Sequence, residues 1–423
     1  MKSESKKNVS RRDFLRQGSA VVAGAASIAA LGAPAIVSAQ NVNSKITFGM
    51  LGSGSRGCSI LDAIARHSQS IVTDVCDIYL PHLEAARKAA ANDKVRTTEN
   101  WQEVLERKDV DALIIGAPLY LHVPMSIAGL ESGKHVFSEK SMGLNMKQIN
   151  AMLASANKHS DLTYLVGYQS RLNENLEMIR NLIAEGSFGK ITQFYCHFDR
   201  NQTWKKDGLE GKWDRLLNWR LYKEYCGGLL TEVVTHELDQ VLSILGTKPK
   251  NAACQGEIMV YHDGREHHDS IMGTWKMEDG VMGVGTAHLS NGSQGSGFTL
   301  LGTHGTIESY GGKLKLYWEK AARHLDTVGV KHKFTKVKMG QSLDEDESPN
   351  STPAKVIEFA VDSNYQDATA REFEHFYDCV LNGAKPIMDA ASCHESSVMA
   401  LMAYESSMND GKSYTRDDVL AMG

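Results

Sequence analysis

Ile46-Thr47-Phe48-Gly49-Met50-Leu51-Gly52-Ser53-Gly54-Ser55-Arg56-Gly57 is the stretch that decides the fold. Its first six residues read as a buried strand, and the glycines after it lead into residues 59–65, the start of an amphipathic helix. Gly52 permits a tight turn, Gly54 lets the backbone approach a pyrophosphate, and Gly57 allows the helix to pack closely on the strand. Ser53, Ser55 and Arg56 complete a candidate phosphate-binding loop. A glycine loop alone is weak evidence, so the surroundings decide.

A second strand, 70–76, ends at Asp77, twenty positions after Gly57 (77 minus 57), where a carboxylate meets the adenosine ribose hydroxyls of a dinucleotide. A carboxylate there repels a 2′-phosphate, which favours NAD over NADP. Arg56 is the competing feature, because a guanidinium in this loop could hold that phosphate. Helices at 80–91 and 100–107 and the fully apolar strand Ala112-Leu113-Ile114-Ile115-Gly116 continue the alternation. The reading is a doubly wound parallel sheet, a Rossmann domain over 45–165.

From Ala117 onward the pieces are Ala117-Pro118 with His122, Gly133-Lys134-His135-Val136 leading to Glu139-Lys140, Gly167-Tyr168-Gln169 with Arg171, and Gly186-Ser187-Phe188-Gly189-Lys190-Ile191. Trp219-Arg220, Gly227-Gly228 and His236 follow. In this order they resemble the glucose–fructose oxidoreductase, inositol dehydrogenase and rhizopine-catabolism family (Gfo/Idh/MocA), over nearly the whole chain after residue 45. The resemblance implies that Lys140 contacts the substrate hydroxyl being oxidised, and that Glu139 lies near the nicotinamide ribose, with Pro118, His122 and Gln169 also at the cofactor. Physically, an ammonium at a reaction centre lowers the pKa of a neighbouring base and stabilises a developing alkoxide. The family's Glu-Lys-Pro loop stands here as Glu139-Lys140-Ser141, which frees a backbone dihedral and restores an amide donor.

Apolar residues at 230, 233, 234, 238, 241 and 245 predict a helix over 229–245 with Glu232, His236, Asp239 and Gln240 on the other side. Glu232 and His236, four apart, are expected to stack. The resemblance makes His236 the base that takes the hydroxyl proton, a role suited to an imidazole, and places Glu232 where the family commonly has Asp. It also puts Arg171 and Asp239 at the substrate. Trp204, Trp213, Trp219, Tyr222 and Tyr225 crowd the segment before this helix, beside Arg220 and Lys223. They read either as a wall for a sugar or cyclitol, with Trp219, Arg220 and Tyr222 as contacts, or as core packing. Strand-like runs at 195–200, 257–261, 270–276, 281–288 and 298–301 predict an α+β domain over 166–423. Its sheet is open and mainly antiparallel, with its other face available to a second copy of the chain. His262, His267, His268 and Asp269 match no zinc spacing and read as a solvated hairpin, so no metal is expected. The acidic stretch 340–353 reads as a loop, and 371–417 as largely helical with His394 a substrate contact by resemblance.

Ser10-Arg11-Arg12-Asp13-Phe14-Leu15-Arg16 precedes a small-residue apolar run ending near Ala39, which reads as a cleaved twin-arginine signal over 1–39 and hence periplasmic or other export of a folded protein. No later stretch is apolar enough to serve as a membrane anchor. At 423 residues, 42% hydrophobic and 23% charged, the chain suits a two-domain globular enzyme. Its formal charge of −5 offers no basic stripe, which argues against nucleic acid. Seven scattered cysteines are not a disulfide framework, consistent with folding before export.

The expectation is a nicotinamide-dependent oxidoreductase acting on a hydroxyl or carbonyl of a sugar or sugar derivative. Because the periplasm supplies no free NAD pool, the cofactor would stay bound and be recycled in place. Two alternatives stand beside it. One is an NAD-dependent glycoside hydrolase working by oxidation, elimination, addition of water and reduction; exported glycosidases of that kind lack a lysine at the place of Lys140. The other is a non-catalytic sugar-binding protein with a structural nucleotide.

Overall fold

The computed structural model describes residues 45–310 except 66, then 313–318, 355–360 and 365–423. The expected signal at 1–39 and the acidic stretch 340–353 lie outside the described residues.

The first sheet contains β1 (Ile46–Leu51), β2 (Ser70–Cys76), β3 (Arg96–Thr98), β4 (Ala112–Ile115), β5 (His135–Glu139) and β6 (Tyr164–Gly167). All are parallel, in the order β3-β2-β1-β4-β5-β6. Every residue of β4 and β6 is buried, as a parallel sheet covered on both faces requires. The order reverses between β1 and β4, so a crevice opens at their carboxyl ends, the place where such folds bind ligands. The glycine loop leaves β1 into the helix Ser55–Ile64 at this point. Gly52 has φ +85°, and a Cβ there would lie 2.4 Å from the Ala117 amide nitrogen. A Cβ on Gly57 would sit 2.5 Å from the Gly52 carbonyl oxygen. Helix and strand therefore approach as closely as the motif requires.

The helix Tyr365–Asn382 returns to this first sheet from the far end of the chain. Its Phe373 meets Phe137 of β5 at 4.6 Å between ring centroids and Phe48 of β1 at 6.1 Å. The apolar face of the N-terminal sheet is thus completed by sequence assigned to the second domain.

The second sheet has nine strands in the order β14-β13-β12-β11-β7-β10-β9-β8-β15. They are β7 (Ile191–Asp199), β8 (Pro249–Glu257), β9 (Ser270–Met277), β10 (Met282–His288), β11 (Ser296–Gly302), β12 (Gly305–Tyr310), β13 (Lys313–Trp318), β14 (Lys355–Ala360) and β15 (Tyr414–Thr415). Neighbours are antiparallel except β7 with β10. Two expectations are corrected. Residues 257–261 are not a strand: the Asp269 carboxylate accepts the amides of Met259, Val260 and Tyr261 at 2.7–2.9 Å and curls the chain off the sheet after Glu257. The following stretch is only partly solvated: His262 is exposed and His268 half-buried, but His267 and Asp269 are buried. Burial pushes His267 down to about 4, and it contacts the Cys226 thiol at 3.7 Å.

The predicted helix over 229–245 is a π-helical turn, Leu230–Val234, continuing as the α-helix Thr235–Leu245. Its non-apolar side is also buried, at Glu232 and Asp239, because helix Ala390–Met408 packs across it. All seven cysteines are free thiols. No helix among the described residues is long and apolar enough to cross a membrane.

Candidate active site

A cavity of about 380 Å³ runs along the crevice, lined by Gly52, Gly54, Ser55, Arg56, Asp77 and Pro118 on one side. Lys206, Leu216, Leu217, Trp219 and Arg220 form the opposite wall. A second cavity of about 290 Å³ adjoins it, sharing Asp77, Pro118, Leu216 and Trp219 and adding Trp101, Tyr120 and Tyr225. Asp77 stands where the two meet. Its carboxylate accepts the Ser53 and Tyr79 amides, each at 2.9 Å, and lies 3.2 Å from His82 Nδ1. A Cβ on Gly54 would make ordinary van der Waals contact with the His82 ring, 3.5 Å away, and Gly54 lines the cavity. Shape and donor set fit a dinucleotide.

Arg56 departs from expectation. Although it lines the cleft, its guanidinium donates to Glu139 at 2.6 Å, to Thr369 Oγ1 at 2.8 Å and to Glu372 at 3.3 Å. Burial, opposed by Arg56 and reinforced by the Glu139 charge, raises the Glu372 carboxyl well above the ordinary range. The arginine that sequence offered as a 2′-phosphate ligand instead neutralises the carboxylate beside Lys140. His122, expected at the cofactor, is buried, with Nδ1 2.9 Å from the Ser141 carbonyl and Nε2 2.9 Å from that of Ala117. It therefore ties the loop after β4 to the loop after β5. Gln169 is buried behind them on the 3₁₀ turn Gln169–Leu172.

Lys140 leaves the carboxyl end of β5 through a cis Lys140–Ser141 peptide. Ser141, where the family has proline, donates its hydroxyl to the Thr231 carbonyl at 2.7 Å and so anchors the loop to the π-helical turn. Lys140 Nζ donates to the Glu232 carbonyl at 2.7 Å and lies 4.0 Å from its carboxylate. Glu232 is buried; Oε2 accepts Arg220 Nε at 3.1 Å, and Oε1 has no partner among the described residues. His236 meets the Tyr168 ring edge-on at 6.2 Å. Loss of hydration, then the positive charges of Lys140 and Arg56, hold its pKa well below the ordinary 6.5. Lys140, Glu232 and a neutral His236 therefore share one electrostatic neighbourhood beside the cleft.

Arg171 and Asp239, both expected at the substrate, are paired with each other. Arg171 Nε donates to both Asp239 oxygens at 2.9 and 3.1 Å, and Ser396 donates to Asp239 at 2.6 Å. Asp239 is 0% exposed, so this is a buried ion pair joining the 3₁₀ turn Gln169–Leu172 to two helices. Trp219 and Arg220 line the dinucleotide cleft, with the guanidinium carbon 4.3 Å over the indole. Tyr222 lies under Arg215 at 4.0 Å, and His394 faces Asn150 at 3.1 Å. Sequence reasoning missed Lys206 and Leu216 altogether, for no local pattern ties residues 206–217 to a loop at 52–57. Among the described residues no cluster of three or more His, Cys, Asp or Glu could hold a metal.

Fold and cleft define a dinucleotide-binding α/β protein with a second, sheet-based domain. Two family models agree: "Oxidoreductase family, NAD-binding Rossmann fold" matches residues 46–168 and "GFO/IDH/MocA C-terminal domain" matches 176–308. The chain belongs to this oxidoreductase family. It is 29% identical over 211 residues to the 2,7-anhydro-N-acetylneuraminate hydratase of Escherichia coli, covering 50% of this chain and 52% of that protein. To the levoglucosan dehydrogenase of Pseudarthrobacter phenanthrenivorans it is 27% identical over 164 residues, 38% of this chain and 39% of that one. To the alpha-N-acetylgalactosaminidase of Shewanella oneidensis it is 25% identical over 236 residues, 51% and 50% of the two chains. These matches span about half or less of each relative's length. A solved levoglucosan dehydrogenase, in complex with NADH and levoglucosan, shares the fold at TM-score 0.69 and 16% identity, over 88% of this chain and 99% of that one.

Proposed function

We propose that this protein is an NAD-dependent oxidoreductase acting on a hydroxyl or carbonyl of a sugar or sugar derivative. The observation that carries the reading is the convergence of Lys140, Glu232 and neutral His236 beside a cleft that fits a dinucleotide. The nicotinamide, when bound, accepts or returns the hydride. His236 takes the hydroxyl proton, and its depressed pKa keeps the imidazole unprotonated and ready. Lys140, with one of its three N–H donors held by the Glu232 carbonyl, directs the others at the developing alkoxide. Oε1 of Glu232, which has no partner among the described residues, is an acceptor for a substrate hydroxyl. Asp77 at the ribose position and the inward engagement of Arg56 support NAD over NADP. The relatives named for levoglucosan and for aminosugars support a carbohydrate substrate.

A base with a lowered pKa makes a signed prediction. Because His236 must be neutral to act, kcat/KM in the oxidation direction should hold as pH falls through 6.5 and decline only below it; an acid limb at or above 6.5 would remove His236 from this role.

The twin-arginine leader supports export with the nucleotide already bound, and so a cofactor recycled without leaving. Tyr195, Met272, Met282 and Val284 are exposed on adjacent strands of the second sheet, which supports a homo-oligomer formed through that face. The direct test is the absorbance of purified protein after exhaustive dialysis. Retained nicotinamide that is reduced by one sugar and reoxidised by a second compound is the expected result; protein that binds no nucleotide would defeat the proposal.

The hydratase and the alpha-N-acetylgalactosaminidase are named for reactions without net redox change, which favours a second reading, glycoside cleavage through transient oxidation. An aryl glycoside separates the two: phenol release without net NADH supports the second, and NADH accumulation without phenol the first.

A further inference from the structure

The geometry points to Lys206 and Arg220 as the second jaw of a clamp on the dinucleotide pyrophosphate, closing against the glycine loop from the opposite domain. This rests on the dinucleotide reading above and names residues that the glycine motif does not contain. Both cations line the same cavity as Gly52, Gly54 and Ser55. Lys206 has no ion-pair or hydrogen-bond partner for its ammonium among the described residues, and the charges bearing on it are the like charge of Arg220 and, more weakly, Asp77. Two cations facing one cleft that also receives the amino end of helix Ser55–Ile64 raise the local potential, a cost that a bound dianion removes.

Their placement is built in. Asn218 is buried, and its side chain accepts the Lys206 amide at 2.7 Å and donates to the Lys206 carbonyl at 3.1 Å. Arg220 is tethered through Nε to Glu232 and stacked on Trp219, so its remaining N–H groups are directed by fixed partners. Between them Leu216, Leu217 and Trp219 wall the cleft. A Rossmann crevice that would be open on its outer side becomes a slot, and a ligand in it is gripped at its phosphates by both domains. Such a grip would slow release of the cofactor.

The experiment is a set of binding titrations on full-length protein freed of nucleotide, using NADH, ADP-ribose and adenosine. In Lys206→Met, NADH and ADP-ribose should bind about tenfold more weakly while adenosine, which lacks phosphates, binds as to the parent. Lys206→Arg should restore most of the loss. Unchanged ADP-ribose affinity in Lys206→Met overturns the clamp, as does an equal loss for adenosine, which would mark a general disturbance of the cleft. A parent protein that binds neither NADH nor ADP-ribose overturns the dinucleotide reading itself, and the clamp with it.

Discussion

Lys140→Met is expected to lower kcat with a sugar substrate by about 10³-fold while leaving the nucleotide bound. Methionine keeps the length and apolar stem of the side chain but removes the ammonium that bonds the Glu232 carbonyl and bears on His236. The lost charge acts where negative charge develops, in a site whose neighbours are largely dry, so its removal costs far more than a surface cation would. Because Lys140 is absent from the residues lining the dinucleotide cleft, nucleotide content read by absorbance should stay at the parent level. His236→Asn should be comparably slow, at about 10²- to 10⁴-fold below the parent. Turnover within tenfold of the parent in both variants would show that neither side chain handles the proton. If the parent turns over no sugar, polyol or glycoside while binding nucleotide and sugar, the non-catalytic binding reading takes its place.

Arg171→Met should destabilise the fold by about 3–5 kcal/mol, seen as a lower urea midpoint. Asp239 is fully buried, and its partners besides Arg171 include the Ser396 hydroxyl at 2.6 Å. Burial alone would lower the arginine's pKa, but the Asp239 charge and hydrogen bonds raise it above the ordinary value. Without the guanidinium a buried carboxylate keeps only neutral donors, and the Ile387 carbonyl and Ser392 hydroxyl each lose one donor. Residual activity per folded molecule should change little, in contrast to Lys140→Met. A midpoint shift worth less than about 1 kcal/mol would favour a substrate contact over a structural role for Arg171.

Most of the first domain was legible because its determinants are local. The β1 run, the three glycines and Asp77 lie within 32 positions (77 minus 46 plus 1), and each acts through backbone geometry or strand period that neighbours in sequence dictate. The second sheet was read less completely. Strands β12 to β14 carry mixed apolar and polar residues whose meaning depends on pairing, and Asp269 ended β8 by capturing three amides, which no alternation pattern reveals.

By itself the sequence determined the glycine turn, the acidic residue after β2, the lysine at the end of β5 and the histidine on the second domain's helix. These depend on residue type at a short, fixed spacing. Only the tertiary structure decided what the long charged side chains do. Arg56 reaches a threonine 313 positions away, Arg171 an aspartate 68 positions away, and Lys206 and Trp219 face a loop more than a hundred residues upstream. A guanidinium or ammonium on a flexible stem has many possible partners, and the one it takes is set by which carboxylate or anion the packed domains leave dry and within reach.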